Sequence, residues 1–319
     1  MNAGVSPETQ SRPSVSVICT VRNEAASIGQ LLAGLLTGTR PPDEVVIADA
    51  GSTDGTREIL GSHAAADGRV RVLDVAGNRS RGRNAAIAAA RGPVIACIDG
   101  GCVPEPEWLQ RLVAPFASGA QWVGGFYRPR GKTRAVCIGL TMVFVLEEAL
   151  TPGFIPSARS MAFTKQVWER VGGFPEQLEV SEDTAFDEAL AAAGVPMVFA
   201  PDAVVGWTPP RTLHTQSRVL FAWSRSDGRA GIRTWGYKRS IQLLALSALA
   251  VVALAVWDLR LAPLGLVPLA ALMVRQTRHK YRWARGFTKY YWIPVAWAVG
   301  LVARSVGFLV GWGERRRSA

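Results

Sequence analysis

The stretch Val94–Cys102, V-I-A-C-I-D-G-G-C, is where chemistry is easiest to place. Val94 to Ile98 is uncharged and small or apolar without alternation, the pattern of a strand buried on both faces of a parallel sheet. Asp99 follows, and ligands of open α/β sheets bind at the carboxyl ends of strands. An Asp there suits a sugar hydroxyl or a metal-bound diphosphate, or it caps the next turn. Gly100 and Gly101 leave the backbone open to a close approach. Two earlier apolar runs end in the same way: Val15–Thr20 runs into Val21-Arg22-Asn23-Glu24, and Glu44–Ala48 into a polar, Gly-rich loop that starts at Asp49. Further along, Ser181-Glu182-Asp183-Thr184 sets two acids in the first turn of a helix over 184–193, with Ser181 as its N-cap. These acids could compensate a helix dipole or do acid–base work.

Four strands (15–20, 44–48, 70–75 and the run ending at Asp99) are expected within about a hundred residues. Helical stretches separate them, one opening at Val21–Glu24 and running to Leu36, another over Arg79–Arg91 with Arg83 in its first turns. This alternation predicts βαβ units and a parallel sheet. Asn23 and Glu24, Asp49 and Asp99 would then face one crevice, and Arg83 would add positive charge. A helix over 107–117, a strand over 122–127 and strands at 195–200 and 204–205 complete the expected domain.

In order, V-I-C-T-V-R-N-E, D-A-G-S-T-D-G-T, G-R-N-A-A, I-D-G-G-C-V-P, M-A-F-T-K…V-G-G-F-P-E and S-E-D-T resemble the motifs of membrane-anchored bacterial family 2 glycosyltransferases with the GT-A fold. The resemblance spans about residues 14–207 and implies an α/β, Rossmann-like, mostly parallel catalytic domain. It also implies an inverting transfer of sugar from a UDP- or GDP-type nucleotide donor. Thr20, Asn23, Glu24 and Asp49 would line the base and ribose pocket, with Arg83 at the base or phosphates. Asp99 matches the first acid of the family's D-x-D, which meets ribose or a metal-bound diphosphate. Gly101 stands where the second acid is expected and Trp207 near where many relatives carry a metal-binding His, so Mg²⁺ or Mn²⁺ would be held weakly, by Asp99 and the donor's phosphates. Asp183 would be the general base, with Glu182 beside it. A polyprenyl phosphate acceptor is already ionised and would need Asp183 only for positioning.

The chain has 319 residues, 49% of them hydrophobic, and a net charge of +11. The charge is uneven: from Pro209 onward there are 18 Lys/Arg against three Asp/Glu, and before it 18 against 22. A basic excess confined to the region with long apolar runs points to an anionic membrane surface, not nucleic acid. Residues 1–13 read as a disordered lead-in, 14–210 as the catalytic domain and 211–240 as an amphipathic segment in the headgroup region. That segment stands where membrane-bound relatives place a Gln/Arg/Trp element facing the diphosphate, which makes Arg225 and Arg229 candidates for that role. Residues 241–319 form a membrane region. The runs 241–257 and 261–274 are expected to cross, followed by a basic loop, Arg275–Lys289, that the positive-inside rule makes cytosolic. The 20 residues 293–312 hold Arg304 and precede three arginines, so they form either a third crossing or a re-entrant, in-plane helix. The expected place of work is the cytosolic face of the plasma membrane, on a lipid-linked or membrane-proximal acceptor. The rival readings are a nucleotidyltransferase and a tethered nucleotide-sugar-binding protein. Cys19, Cys97, Cys102 and Cys137 lack metal-type spacing and read as reduced thiols.

Overall fold

The computed structural model describes residues 12–150, 154–284 and 290–318. Most of the expected lead-in and the end of the expected basic loop lie outside the described residues. The chain opens as three parallel strands separated by helices: β1 Val15–Val21, α1 Ile28–Thr37, β2 Glu44–Asp49, α2 Thr56–Ala66, β3 Val70–Asp74 and α3 Arg79–Ala89. Next come β4 Val94–Cys97, β5 Cys102–Pro104, α4 Trp108–Val113 with a 3₁₀ turn after it, β6 Trp122–Pro129, α5 Thr133–Leu140 and α6 Leu146–Ala149. The domain closes with β7 Met161–Thr164, α7 Lys165–Arg170, α8 Glu182–Ala192 and β8 Met197–Trp207.

The eight strands form one sheet in the order β3-β2-β1-β4-β7-β6-β8-β5. The half built from β1 to β4 is parallel throughout. β7 and β5 enter antiparallel to their neighbours, while β6 and β8 pair in parallel. Four of the seven pairings are parallel, so the sheet is mostly parallel as expected, and its wholly parallel half carries the early motifs. Leu31, Leu32, Trp108 and Leu112 fill one face, and Ile87, Phe163, Phe174 and Phe186 the other. This is why the central strands carry no polar alternation. Both expected strands at 195–205 are one strand, β8, with its irregularity at Gly124–Phe126 of β6.

Four helices follow: α9 Leu213–Ala230, α10 Thr234–Trp257, α11 Val267–Trp283, reached through a 3₁₀ segment, and α12 Trp292–Ser318. Three stretches, 234–257, 259–283 and 292–317, are long and apolar enough to cross a membrane. The expected basic loop after 274 is helical as far as Trp283, since nothing between Val274 and Trp283 breaks a helix. That basic end docks on the sheet domain: Lys280 Nζ donates to the carbonyl of Val143 (2.8 Å) and pairs with Glu148 (2.9 Å), and Trp283 donates to Glu147 (2.7 Å).

α12 runs along α9 for nearly its whole length. Gln216 donates to the carbonyl of Ala296 near the start of α12, and Glu314 near its end pairs with Arg225 and Arg229. Glycines make the approach possible. A Cβ on Gly307 would stand 2.5 Å from the carbonyl oxygen of Phe221, and one on Gly311 only 1.9 Å from that of Arg225. Small residues at a helix seam of this kind are the usual device for close packing in membranes.

Candidate active site

The loops after β1 and β2 are laced together by their own backbone. Asn23 takes a positive φ of 58°, which ends the strand and delays α1 to Ile28, four residues later than the sequence pattern suggests. Its N–H donates to Ser52 Oγ (2.9 Å), its side-chain oxygen accepts from the N–H of Thr53 (2.9 Å), and the N–H of Glu24 donates to Thr56 (2.8 Å). Asp49, at the end of β2 and buried, accepts from Ser52 Oγ and from Arg57 Nε (2.7 Å). Burial pushes its carboxyl up, but these hydrogen bonds outweigh burial and hold it below the usual range. The result is a preformed polar wall beside Thr20, the last half-buried residue of β1. α3 comes close to that wall because residue 82 is glycine: a Cβ there would stand 2.7 Å from Thr20 Cγ2.

The next residue, Arg83, is thereby driven inward. It is 3% exposed, donates to Asp99 (2.8 Å) and Glu182 (2.5 Å), and lies over the ring of Phe174 at 5.4 Å. Expected at the base or phosphates, Arg83 instead bridges two carboxylates. Glu182 is buried, its carboxylate against the Arg83 guanidinium. Its neighbour Asp183 is half-buried, accepts from Ser157 Oγ (3.0 Å) and from the N–H of Thr184 (2.9 Å), and leaves oxygen lone pairs over. Ser181, the expected N-cap, takes a φ of 65° and its side chain makes no cap hydrogen bond.

A residue that the sequence reading missed closes the cluster. Arg159, just before β7, has Nε 3.6 Å from Asp99 and donates from Nη1 to Ser157 (3.1 Å), the same serine that holds Asp183. Glu182, Arg83, Asp99, Arg159, Ser157 and Asp183 thus form a ring that closes through the peptide joining 182 and 183. The signal that could have found Arg159 is a lone cation between small residues in P-S-A-R-S, directly ahead of a motif strand. Burial pushes the Asp99 carboxyl up, but Arg83 and Arg159 more than reverse this, so it is ionised well into acid. Cys97 and Cys102, buried nearby, are pushed up to about 12, which makes them inert thiols.

Arg225 and Arg229, expected to face the diphosphate, are turned to Glu314 of α12. They lie one helical turn apart on the face of α9 that meets α12, whereas Trp223 lies on the face toward the sheet domain. Among the described residues no group of three or more His, Cys, Asp or Glu converges. Asp99 offers one carboxylate, with guanidinium groups facing both of its oxygens. A hard divalent cation takes six or more oxygens, so these residues do not build a metal site of their own.

The comparisons fit this geometry. The family model described as Glycosyl transferase family 2 matches residues 16–148, which span β1 to α6. Glycosyltransferase AglE of Haloferax volcanii is 31% identical over 239 residues, which are 71% of this chain and 76% of that protein. The chain belongs to glycosyltransferase family 2. Its reaction is glycosyl transfer, which removes the nucleotidyltransferase reading. Another relative is the undecaprenyl-phosphate 4-deoxy-4-formamido-L-arabinose transferase of Aeromonas hydrophila, 34% identical over 123 residues, 36% of this chain and 37% of that protein's length. Among solved structures, the mannosyltransferase PcManGT from Pyrobaculum calidifontis, in complex with GDP-Man and Mn²⁺, superposes with a TM-score of 0.60. It is 22% identical, and the alignment covers 96% of this chain and 89% of that one, a likeness of fold.

Proposed function

We propose that this family 2 glycosyltransferase moves a sugar with inversion from a UDP- or GDP-type donor to a lipid-linked acceptor, at the cytosolic face of the cell membrane. The observation that carries the reading is Asp183. It is a half-buried carboxylate on the rim of the ring, one residue from the Glu182–Arg83–Asp99 bridge, held by the Ser157 hydroxyl and by the N–H groups of Ala158 and Thr184 but free to accept one more proton. In the reaction the acceptor oxygen attacks the anomeric carbon, its proton passes to Asp183, and the bond from that carbon to the diphosphate breaks with the electron pair on the phosphate oxygen. Asn23, Glu24 and Asp49 would bind base and ribose, and Asp99 the ribose or diphosphate. A divalent ion carried in by the donor's phosphates would meet Asp99 as its protein ligand and would supply positive charge to the leaving group.

The lipid-linked acceptor is supported by the relative from Aeromonas hydrophila, named for an undecaprenyl-phosphate substrate. It is also supported by an apolar groove of about 860 Å³ between α9 and α12, lined by Phe221, Val299, Val302 and Val306 with Arg218 at its edge. The cytosolic placement is supported by the basic end of α11, which docks on the catalytic domain through Glu147 and Glu148. In this reading α10 and the 259–283 stretch cross as a hairpin. α12, packed lengthwise on α9, lies in the membrane plane and keeps Arg315, Arg316 and Arg317 on the cytosolic side.

The test is Asp183→Asn. With a hydroxyl acceptor, turnover should fall by roughly 10² to 10⁴ while donor affinity stays nearly constant. Turnover near that of the native enzyme in a folded variant would remove Asp183 as base and point to an acceptor that is already ionised.

A further inference from the structure

Arg159 has a setting that a structural ion pair does not need. Its side chain is 16% exposed, and its guanidinium carbon lies 5.1 Å from the ring centre of Tyr127, 5.0 Å from that of Trp207 and 5.9 Å from that of Trp223. These rings come from β6, from the end of β8 and from α9. Three aromatic faces hold a cation in place without neutralising it. Its Nε is buried and, among the described residues, has no hydrogen-bond partner, since the Asp99 oxygen it faces stands 3.6 Å away and Arg83 bonds the other one. So a rigid guanidinium, with a donor unspent, is fixed at the strand end where the donor's phosphates are expected. It also lies between Asp99 and Trp207, next to the places where the family resemblance would put metal ligands and this chain has Gly101 and Trp207.

We infer that Arg159 binds the diphosphate of the nucleotide donor, its ring-held guanidinium supplying positive charge that metal ligands absent from this chain would otherwise bring. The inference rests on the donor class proposed above. A guanidinium fork matches phosphate oxygens two at a time, and it has few rotamers left to lose because the rings already fix it. When the bond between the anomeric carbon and the phosphate oxygen breaks, the electron pair collects on the diphosphate. A cation already in position stabilises that charge without reorganising. Ser157 links the two ends of the step, since its hydroxyl accepts from Arg159 and donates to Asp183.

The test measures binding of UDP, GDP, uridine and guanosine to the detergent-solubilised full chain by calorimetry, in EDTA and again with excess Mn²⁺. The native protein should bind one of the diphosphates in EDTA. Arg159→Met should weaken that diphosphate by about 10- to 100-fold in EDTA, leave the nucleoside unchanged, and recover part of the loss with Mn²⁺. Arg159→Lys, which keeps the charge but not the fork, should fall between and serves if the Met variant does not fold. Equal losses for nucleoside and diphosphate, or an undiminished diphosphate affinity in either variant, would overturn the inference. Native binding that needs Mn²⁺ outright would do so too. If the native protein binds neither diphosphate under either condition, it is the proposed donor class that fails, and this role for Arg159 with it.

Discussion

Replacing Arg83 by Met keeps the length of the side chain and removes the bridge between Glu182 and Asp99. The two carboxylates do not lose equally. Asp99 is 30% exposed at its side chain and retains Arg159 at 3.6 Å, whereas the Glu182 side chain is 4% exposed and Arg83 is the partner it holds. The cost therefore falls mainly on Glu182, as an uncompensated buried charge, and breaking such a pair from one side costs about 3–5 kcal/mol. For a unit of some 200 residues, each kcal/mol moves the unfolding midpoint by roughly 2–4 °C, so the expected fall is about 6–20 °C. Adding Glu182→Met should restore part of the midpoint, because two apolar side chains replace a broken pair. Thermal scans of the detergent-solubilised protein at neutral pH measure both effects. A fall below about 3 °C, or a double variant worse than the single one at neutral pH, would refute the claim that this bridge is the internal brace of the site.

Two other outcomes are expected. Asp187 is buried and, among the described residues, neither of its oxygens has a hydrogen-bond partner; burial first and then Asp183 push its carboxyl up. A raised carboxyl loses stability as pH rises through its folded pKa, so Asp187→Asn should raise the unfolding midpoint by a few degrees at pH 8 and make little difference at pH 4, a thermal scan at both values being the check. For α12, a cysteine in place of Arg317 should react with a membrane-impermeant maleimide from the side that holds the catalytic domain, with low background because all four native cysteines are buried. Labelling from the opposite side alone would make α12 a third crossing.

How much of this was legible in the sequence follows from how local each cause is. Strands β1, β2 and β4 could be read because burial on both faces favours apolar residues whatever lies across the sheet. The separate jobs of Glu182 and Asp183 could not. Consecutive residues on a helix point about 100° apart, so one of the pair must turn in when the other faces out, and which one turns in depends on Arg83, 99 residues earlier in the chain. The direction of Arg83, between two carboxylates, was not legible either, because it is set by the close approach that Gly82 allows. Arg225 and Arg229 looked like phosphate ligands by position, but Glu314 lies across from them in a helix whose placement no local pattern encodes.

Arg159 went unread for a related reason, and that reason bears on how the molecule is built. Its three aromatic partners lie at 127, 207 and 223, on elements that meet only in the folded chain. The last of them belongs to α9, outside the sheet domain. α9 is fixed twice over. Ser226 donates to the carbonyl of Val180 just ahead of α8, and Tyr237, stacked on Phe308 of α12, donates to Asp227. On the other side Gly228 faces the backbone of Phe308 and Trp312 so closely that a Cβ would stand 2.5 Å from a carbonyl oxygen. The sheet domain alone would leave Arg159 with two of its three rings and would expose the side of α5 that now meets Gln216 and Arg304. α9 and α12 therefore complete the setting of Arg159, because the position of α12 on α9 fixes where Trp223 holds the guanidinium beside Asp99.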